Sequence, residues 1–210
     1  MVDYMVQDYL KDYPYVSRET LDKIDHYVSA LLKWNQRINL VGRSTERDIW
    51  NRHIKDSIQL NQYLPKGPSE IIDLGTGAGL PGMVLAILRN DLNVTLVESN
   101  TKKTSFLNYI QQQLSLKNVT ILNQRIEDIS LPNKCYVITS RALASLNDLL
   151  NYSVAFSQKN TLCIFPKGSK LELEMTEAKE NWFFDVIIEK SEVEQNSYIV
   201  LISNVVKRSL

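Results

Sequence analysis

Along an otherwise polar stretch, Leu21, Ile24, Val28, Leu31, Leu32 and Ile38 recur at spacings of three, four and seven. That period predicts one amphipathic helix beginning near Ser17 as its N-cap. A second such pattern runs through Ile49, His53, Ile54, Ser57 and Ile58 and stops before Pro65. Pro65-Lys66-Gly67-Pro68-Ser69 cannot continue a helix and predicts a short linker. Beyond it the texture changes. Apolar, β-branched runs at 71–74, 94–98, 119–122, 136–139 and 161–165 alternate with stretches of helical character at 81–90, 101–116, 142–156 and 168–180. This alternation predicts a parallel, doubly wound α/β sheet covered on both faces. Two last runs, 185–190 and 197–203, lie too close together for a crossover helix and predict an antiparallel hairpin. The expected architecture is therefore an N-terminal helical extension, 1–66, on a seven-stranded, mostly parallel α/β core, 67–210.

Composition bounds this picture without changing it. A chain of 210 residues, 44% hydrophobic and 23% charged, fits one ordinary domain with a small appendage and has the usage of globular proteins rather than disordered ones. No apolar run is long enough to span a bilayer, and the first sixteen residues carry acids where a signal peptide carries a basic region, so the expectation is an unanchored, cytoplasmic protein. Cys135 and Cys163 lie in strand-like surroundings without CxxC spacing, which predicts buried reduced thiols and no metal site.

Basic and acidic residues balance at 24 each, so net charge gives no reason to expect a nucleic-acid partner. Their distribution is more informative. Residues 1–32 hold three basic and six acidic side chains, whereas 33–55 hold six basic ones (Lys33, Arg37, Arg43, Arg47, Arg52, Lys55) against Glu46 and Asp48. Because fields act locally, within about 10 Å at 0.1 M salt, this segment is either a phosphate-facing patch or a solvated helical face.

The sharpest local signal is Ile71-Ile72-Asp73-Leu74-Gly75-Thr76-Gly77-Ala78-Gly79-Leu80-Pro81-Gly82, a strand running into a glycine-rich turn and then a helix. In an open α/β sheet such a turn floors the ligand crevice beyond the strand ends, and missing side chains let a nucleotide-like ligand lie on the backbone. Glu98, sixteen residues after Gly82 at the end of the second strand, is placed to accept hydrogen bonds from both ribose hydroxyls of an adenosine. The string Gly77-Ala78-Gly79-Leu80-Pro81-Gly82 also satisfies the dinucleotide pattern, leaving an NAD-dependent oxidoreductase as an alternative. Asp73 favours the other reading, since a carboxylate there repels a pyrophosphate but suits the ammonium of S-adenosylmethionine, held directly or through water. The terminal hairpin likewise suits a methyltransferase sheet.

The reaction is constrained by what is missing. The loop after the fourth strand reads Thr139-Ser140-Arg141-Ala142, not the Asn/Asp-Pro-Pro-aromatic sequence expected for methylation of an exocyclic amine. Neither cysteine sits in a loop at this edge, which disfavours the covalent route to a pyrimidine C5. Transfer to an existing lone pair such as guanine N7 needs neither base nor nucleophile, only in-line placement.

Several blocks in order, Lys33-Trp34-Asn35 with Asn39-Leu40, Arg52 to Ser57, Asp73 to Gly82, Glu98-Ser99 with Lys103, Arg125-Ile126-Glu127, Ser140-Arg141-Ala142 with Ala144 to Leu146, and Lys167-Gly168, resemble one family over roughly residues 20–170. It is the RsmG family of bacterial small-subunit rRNA guanine-N7 methyltransferases, formerly called glucose-inhibited division protein B. The resemblance implies a Rossmann-like class I methyltransferase fold, S-adenosylmethionine as donor, and a guanine of 16S rRNA within the small ribosomal subunit as acceptor. It implies that Gly75 and Leu80 line the donor site with Asp73, Thr76, Gly77 and Glu98, that Ile126 and Glu127 enclose the adenine, and that Arg141 contacts the donor. Arg141 is equally suited to hold RNA backbone or to form a salt bridge inside the crevice. Asn39, Arg43, Arg52 and Lys167 are assigned to the RNA side, although Asn39 is also placed to cap the first helix and Gly168 to start a helix turn. His53, on an apolar stripe, is a packed interior histidine or a site group, and Trp34 is core packing rather than a stacking platform. Phe165-Pro166 stands where an apolar pair such as Ala-Leu is common in the family, and the acidic stretch 172–194 should face away from RNA. Neutral net charge points to the shaped subunit rather than naked RNA as substrate. A ribosome-assembly or RNA-binding factor without activity is a further alternative, which the intact Asp73, glycine loop and Glu98 disfavour.

Overall fold

The computed structural model describes Tyr13 and residues 16–131 and 133–208; the rest of the expected extension, 1–12 with 14 and 15, lies outside the described residues. Helix α1 (Arg18–Asn35) starts where the pattern places it, with Ser17 Oγ accepting the Thr20 N–H at 3.1 Å. Leu21, Ile24, Val28 and Leu31 are buried along one stripe. Its end is secured by Asn35 and not by Asn39, which is exposed. Asn35 Oδ1 accepts the N–H groups of Leu40 and Val41 at 2.7 and 3.0 Å, and its Nδ2 donates to the Glu46 carboxylate at 2.6 Å.

The second predicted helix is present but changes pitch. It is π-type over Trp50–Lys55, α-type over Asp56–Ile58 and 3-10 over Gln59–Tyr63. Ile49, Ile54 and Ile58 are all buried at spacings of five and four, which a uniform 3.6-residue turn does not keep on one face. The wide turn is the accommodation, and such widenings recur at functional sites.

Strands β1 (Ser69–Leu74), β2 (Leu92–Val97), β3 (Val119–Leu122), β4 (Cys135–Thr139), β5 (Ser157–Lys167), β6 (Trp182–Lys190) and β7 (Tyr198–Lys207) form one sheet of order β3-β2-β1-β4-β5-β7-β6. The first five are parallel, and β7 runs antiparallel between β5 and β6. Helices α2 (Gly82–Leu88), α3 (Thr101–Gln113), α4 (Leu146–Ser153) and α5 (Leu171–Asn181) complete the layers. Because β1 pairs with both β2 and β4, the order in which strands are added reverses there, and the crevice opens beyond the C-terminal ends of β1 and β4.

Alternate residues of β1 feed opposite faces. Ile71 joins a core built with α1, the 50–63 stretch, α2 and α3, while Ile72 and Leu74 join one built with α4 and α5. The extension is thus tied to the crevice: Tyr27 Oη of α1 donates to the Ala78 carbonyl in the glycine loop at 2.9 Å, fully buried. Trp34 packs with its ring centroid 5.6 Å from Phe106 and 5.5 Å from Tyr109. Both cysteines are buried free thiols, pushed up to about 11 (Cys135) and about 12 (Cys163), chiefly by burial. Among the described residues no helix is long and apolar enough to cross a membrane, and no acid, histidine and cysteine group has metal-binding geometry.

Candidate active site

The glycine turn is organised by a carboxylate beneath it. Asp73, fully buried at the end of β1, accepts from the Thr76 hydroxyl, from the Thr139 hydroxyl of β4 at 2.9 Å and from the Gly82 N–H at 3.0 Å. Burial pushes its carboxyl up to about 6 against the opposing pull of these hydrogen bonds and the nearby Arg141. The approach works only with glycine at 82, where a Cβ would stand 2.8 Å from Asp73 Oδ2 and 2.4 Å from Leu96 Cδ2. Asp73 therefore joins β1, β4, the turn and the start of α2, and its carboxylate lies under the turn rather than in the open crevice.

Above the turn is a cleft of about 270 Å³ whose lining brings together Gly75, Glu98, Ile126 and Glu127, with Lys103, Leu143 and Tyr152. Glu98 is 8% exposed; its Oε2 accepts the Gly77 N–H at 3.0 Å and its Oε1 the Asn100 N–H at 2.7 Å. Both oxygens are thus fixed in direction while keeping lone pairs for a ligand's hydroxyls. Thr76 and Gly77, expected in the donor site, are not in its lining: the buried Thr76 hydroxyl is turned to Asp73, and Gly77 reaches the cleft only through its N–H to Glu98. Leu80, expected on its lining, is 3% exposed and belongs to the buried core instead.

The turn's own N–H groups decide which ligand suits it. Thr76 donates to Val97 O, Gly79 and Leu80 to Thr76 O, Gly77 to Glu98 and Gly82 to Asp73. A pyrophosphate depends on such N–H groups being turned toward it, and here those five are taken up inside the protein with two carboxylates among the acceptors. This chemistry fits a cationic donor bearing an adenosine and disfavours the dinucleotide alternative.

A second cleft, about 570 Å³, opens beside the first and shares Ala142 and Leu143 with it. Arg141 faces this second space. Its guanidinium donates to Asp56 Oδ2 at 3.0 Å, to the Arg52 carbonyl at 3.3 Å and to His53 Nδ1 at 2.9 Å. His53 Nε2 lies 2.8 Å from Thr45 Oγ1. Since the Thr45 hydroxyl donates to the Gly42 carbonyl, its oxygen accepts from His53 Nε2–H, leaving Nδ1 to accept from Arg141. Burial, with the charges of Arg141 and Arg52, holds His53 down at about 4, so the ring is neutral. It is a half-buried bridge between the extension and the loop after β4.

The other RNA-side candidates separate. Arg52 pairs with Glu194 from the β6–β7 connection and stays partly exposed. The Lys167 side chain, 8% exposed, donates to Ala144 O at 2.8 Å and to Glu174 at 2.7 Å, and the same Glu174 oxygen accepts the Leu146 N–H. Lys167 thus fastens the loop after β4 to α5 instead of reaching outward. Arg43 and Asn39 are exposed outside the cleft lining. Asp56, Glu174 and Glu194, absent from the sequence-based set, each neutralise one of the cleft's cations, so the acidic stretch 172–194 does not face away as expected but sends Glu174 and Glu194 into this cleft's lining. Leu143 and Tyr152 were also missed: Leu143 because the predicted helix 142–156 starts only at Leu146, behind a Ser145 cap, leaving 140–145 as a loop at the crevice, and Tyr152 because it lies on that helix with no local signal of facing the cleft.

Comparison with known proteins agrees with this geometry. Residues 20–199 match the family model described as rRNA small subunit methyltransferase G. The chain belongs to this family. It is 39% identical over 195 residues to the ribosomal RNA small subunit methyltransferase G of Rhodospirillum centenum, covering 93% of this chain and 89% of that one. The Orientia tsutsugamushi protein of the same name is 40% identical over 195 residues, covering 93% and 96%. Among solved structures, the fold is similar to a SAM-dependent methyltransferase from Aquifex aeolicus (TM-score 0.57, 17% identity, 83% of this chain and 97% of that). The ribosomal protein L11 methylase of Lactobacillus delbrueckii subsp. bulgaricus is similar at TM-score 0.57 and 14% identity, over 72% and 78%. The family and its class I methyltransferase fold make the chain an S-adenosylmethionine-dependent rRNA methyltransferase.

Proposed function

We propose that this enzyme methylates N7 of a guanine in 16S rRNA, acting on the small subunit in assembled or partly assembled form. One observation carries the reading: a cleft suited to adenosine and cation opens onto a second cleft in which, among the described residues, the imidazole, the cations and the carboxylates are paired with one another. His53 has both nitrogens engaged, Lys167 is ion-paired, and both cysteines are buried in strands. Guanine N7 requires no such group, because its lone pair is already exposed on the base edge.

S-adenosylmethionine would supply a methyl on a sulfonium, whose carbon–sulfur electron pair stays with sulfur as the N7–methyl bond forms. No proton has to leave N7. The chain's residues perform the positioning. Glu98 orients the ribose, Ile126 gives the adenine an apolar face, and the Gly75 backbone allows close approach. Asp73 and Glu98 place negative charge near the cation. Arg141, steadied by neutral His53 and by Asp56, stands at the acceptor side with its guanidinium held in one orientation. Pairing of Arg52, Arg141 and Lys167 with acids leaves the acceptor cleft close to neutral, which suits a base better than a phosphate and supports recognition of a shaped particle over naked RNA. Incubation with labelled donor and separated subunits tests this: small subunits lacking the modification should take up label. Equal labelling of large subunits, or label on short naked RNA at high salt, would contradict it.

A further inference from the structure

The donor and acceptor clefts meet at two residues, Ala142 and Leu143, which line both. Leu143 is an exposed leucine at 37%, yet its side chain is not directed into solvent. A Cβ placed on Gly75 would come within 2.6 Å of Leu143 Cδ1, 3.0 Å of Cδ2 and 3.1 Å of Cγ. The isobutyl group therefore rests on the bare α-carbon of Gly75, the first glycine of the donor turn and itself part of the donor cleft lining. It covers backbone that the donor reading requires to be approachable.

The flanks of this pair are fastened while the pair is not. On one side, Ser140 Oγ donates to the Leu74 carbonyl at 2.8 Å, and Arg141 is fixed to His53 and Asp56. On the other, Lys167 holds the Ala144 carbonyl and Ser145 caps α4. Ala142, between the anchors, adopts φ +54°, a left-handed conformation unfavourable for a residue with a Cβ. Two exposed residues between fixed points, one of them strained, form a short unit that can turn without disturbing the sheet.

We propose that Leu143 is a positioning residue shared by the two clefts. It lies over Gly75 in this structure, yields as the donor enters, and then forms the apolar wall that holds the acceptor base in line with the transferring methyl. The inference rests on the donor assignment above. A leucine suits the task because it offers neither a hydrogen bond nor a charge that would compete with the base's lone pair.

Two measurements on Leu143→Ala test this: equilibrium dialysis with labelled S-adenosylmethionine, and steady-state transfer to small subunits. Removing the cover should tighten donor binding by about threefold or more, since binding no longer has to displace a competing contact. Losing the wall should lower kcat at saturating donor by about tenfold or more, with KM for subunits little changed, because misplacement of the base acts on the transfer step. Leu143→Met should restore kcat, and Ala142→Gly, which keeps the Leu143 side chain but relieves the left-handed strain of the covering state and so stabilises it, should weaken donor binding rather than tighten it. Unchanged or weaker donor binding in Leu143→Ala overturns the proposal, as does an unchanged kcat. A wild-type protein that binds no donor would remove the donor reading and this inference together; a wild type that binds it with an affinity identical to Leu143→Ala removes the inference alone.

Discussion

Replacing Glu98 separates donor recognition from folding. Its two oxygens accept backbone N–H groups from Gly77 at 3.0 Å and Asn100 at 2.7 Å, which aims the remaining lone pairs at the cleft. Glu98→Ala removes the carboxylate assigned to the ribose hydroxyls and should weaken donor binding by about 1.5–3 kcal/mol, roughly 10- to 150-fold in Kd. Glu98→Gln should do little better, because an amide has one acceptor oxygen and its NH₂ would face one of the two backbone donors. Folding should be much less affected. Asn100 is exposed and Gly77 half-buried, so water can replace the lost acceptor at a cost on the order of 1 kcal/mol, about 2–4 °C in Tm for a chain of this size. Equilibrium dialysis with labelled donor and thermal unfolding provide the two readouts. Donor binding within twofold of wild type in Glu98→Ala would refute the assignment, and a collapse of Tm would show that Glu98 serves the fold instead.

Asp73→Ala should lower stability by about 3 kcal/mol or more, since it strands the buried Gly82 N–H and two hydroxyls. Asp73→Asn, able to keep the Gly82 bond and reverse the Thr139 one, should lose much less, and equal losses in urea melts would count against the pinning role. Lys167→Ala should cost about 2–3 kcal/mol by leaving Glu174 uncompensated, whereas Arg52→Ala should leave Tm unchanged and impair only RNA methylation; the reverse ordering would return Lys167 to the RNA side. In acid, His53 is held at about 4 against an ordinary 6.5, so the unfolded chain takes up a proton that the native ring refuses. Its contribution, on the order of 2 kcal/mol after allowing for partial exposure, is present above pH 6.5 and lost as pH falls toward 4. Asp73, raised from 3.8 to about 6, works in the opposite sense, because the native state holds its proton more tightly between those values. His53→Asn should therefore flatten the acid loss of stability between pH 6.5 and 4, and parallel wild-type and variant curves would exclude the assignment.

What was legible in the sequence followed from local periodicity and local punctuation. The apolar runs located all seven strands, and the α1 stripe with its Ser17 cap located the first helix, because burial imposes the period directly. Strand ends were less visible. Strand β5 begins at Ser157 through polar residues whose strand character comes from pairing with neighbours, not from side chains. The donor cleft was half legible: Gly75, Glu98, Ile126 and Glu127 do converge, while Leu80 sits in the core because its apolar side chain joins the large buried cluster instead of the cleft lining. The acceptor cleft was least legible. Lys167 is neutralised by Glu174 seven residues on, but Arg141 meets Asp56 eighty-five residues away and Arg52 meets Glu194 across the whole core. Such pairings leave no spacing in the chain, since they depend on how the extension docks against the loops after β4 and β6. The wide turn at Trp50–Lys55 likewise shows only as an uneven five-and-four spacing of isoleucines.

The most direct test of the central claim is the chemical identity of the product. Small subunits from cells lacking this protein would be incubated with it and labelled S-adenosylmethionine, and their 16S rRNA digested for nucleoside mass spectrometry. The account predicts one new labelled nucleoside, 7-methylguanosine, at a single position, and its loss with Glu98→Ala. Label on an exocyclic amine, on a pyrimidine or on a ribose hydroxyl would contradict it, because the account assigns the described residues of the acceptor cleft to positioning and not to proton removal or covalent attack.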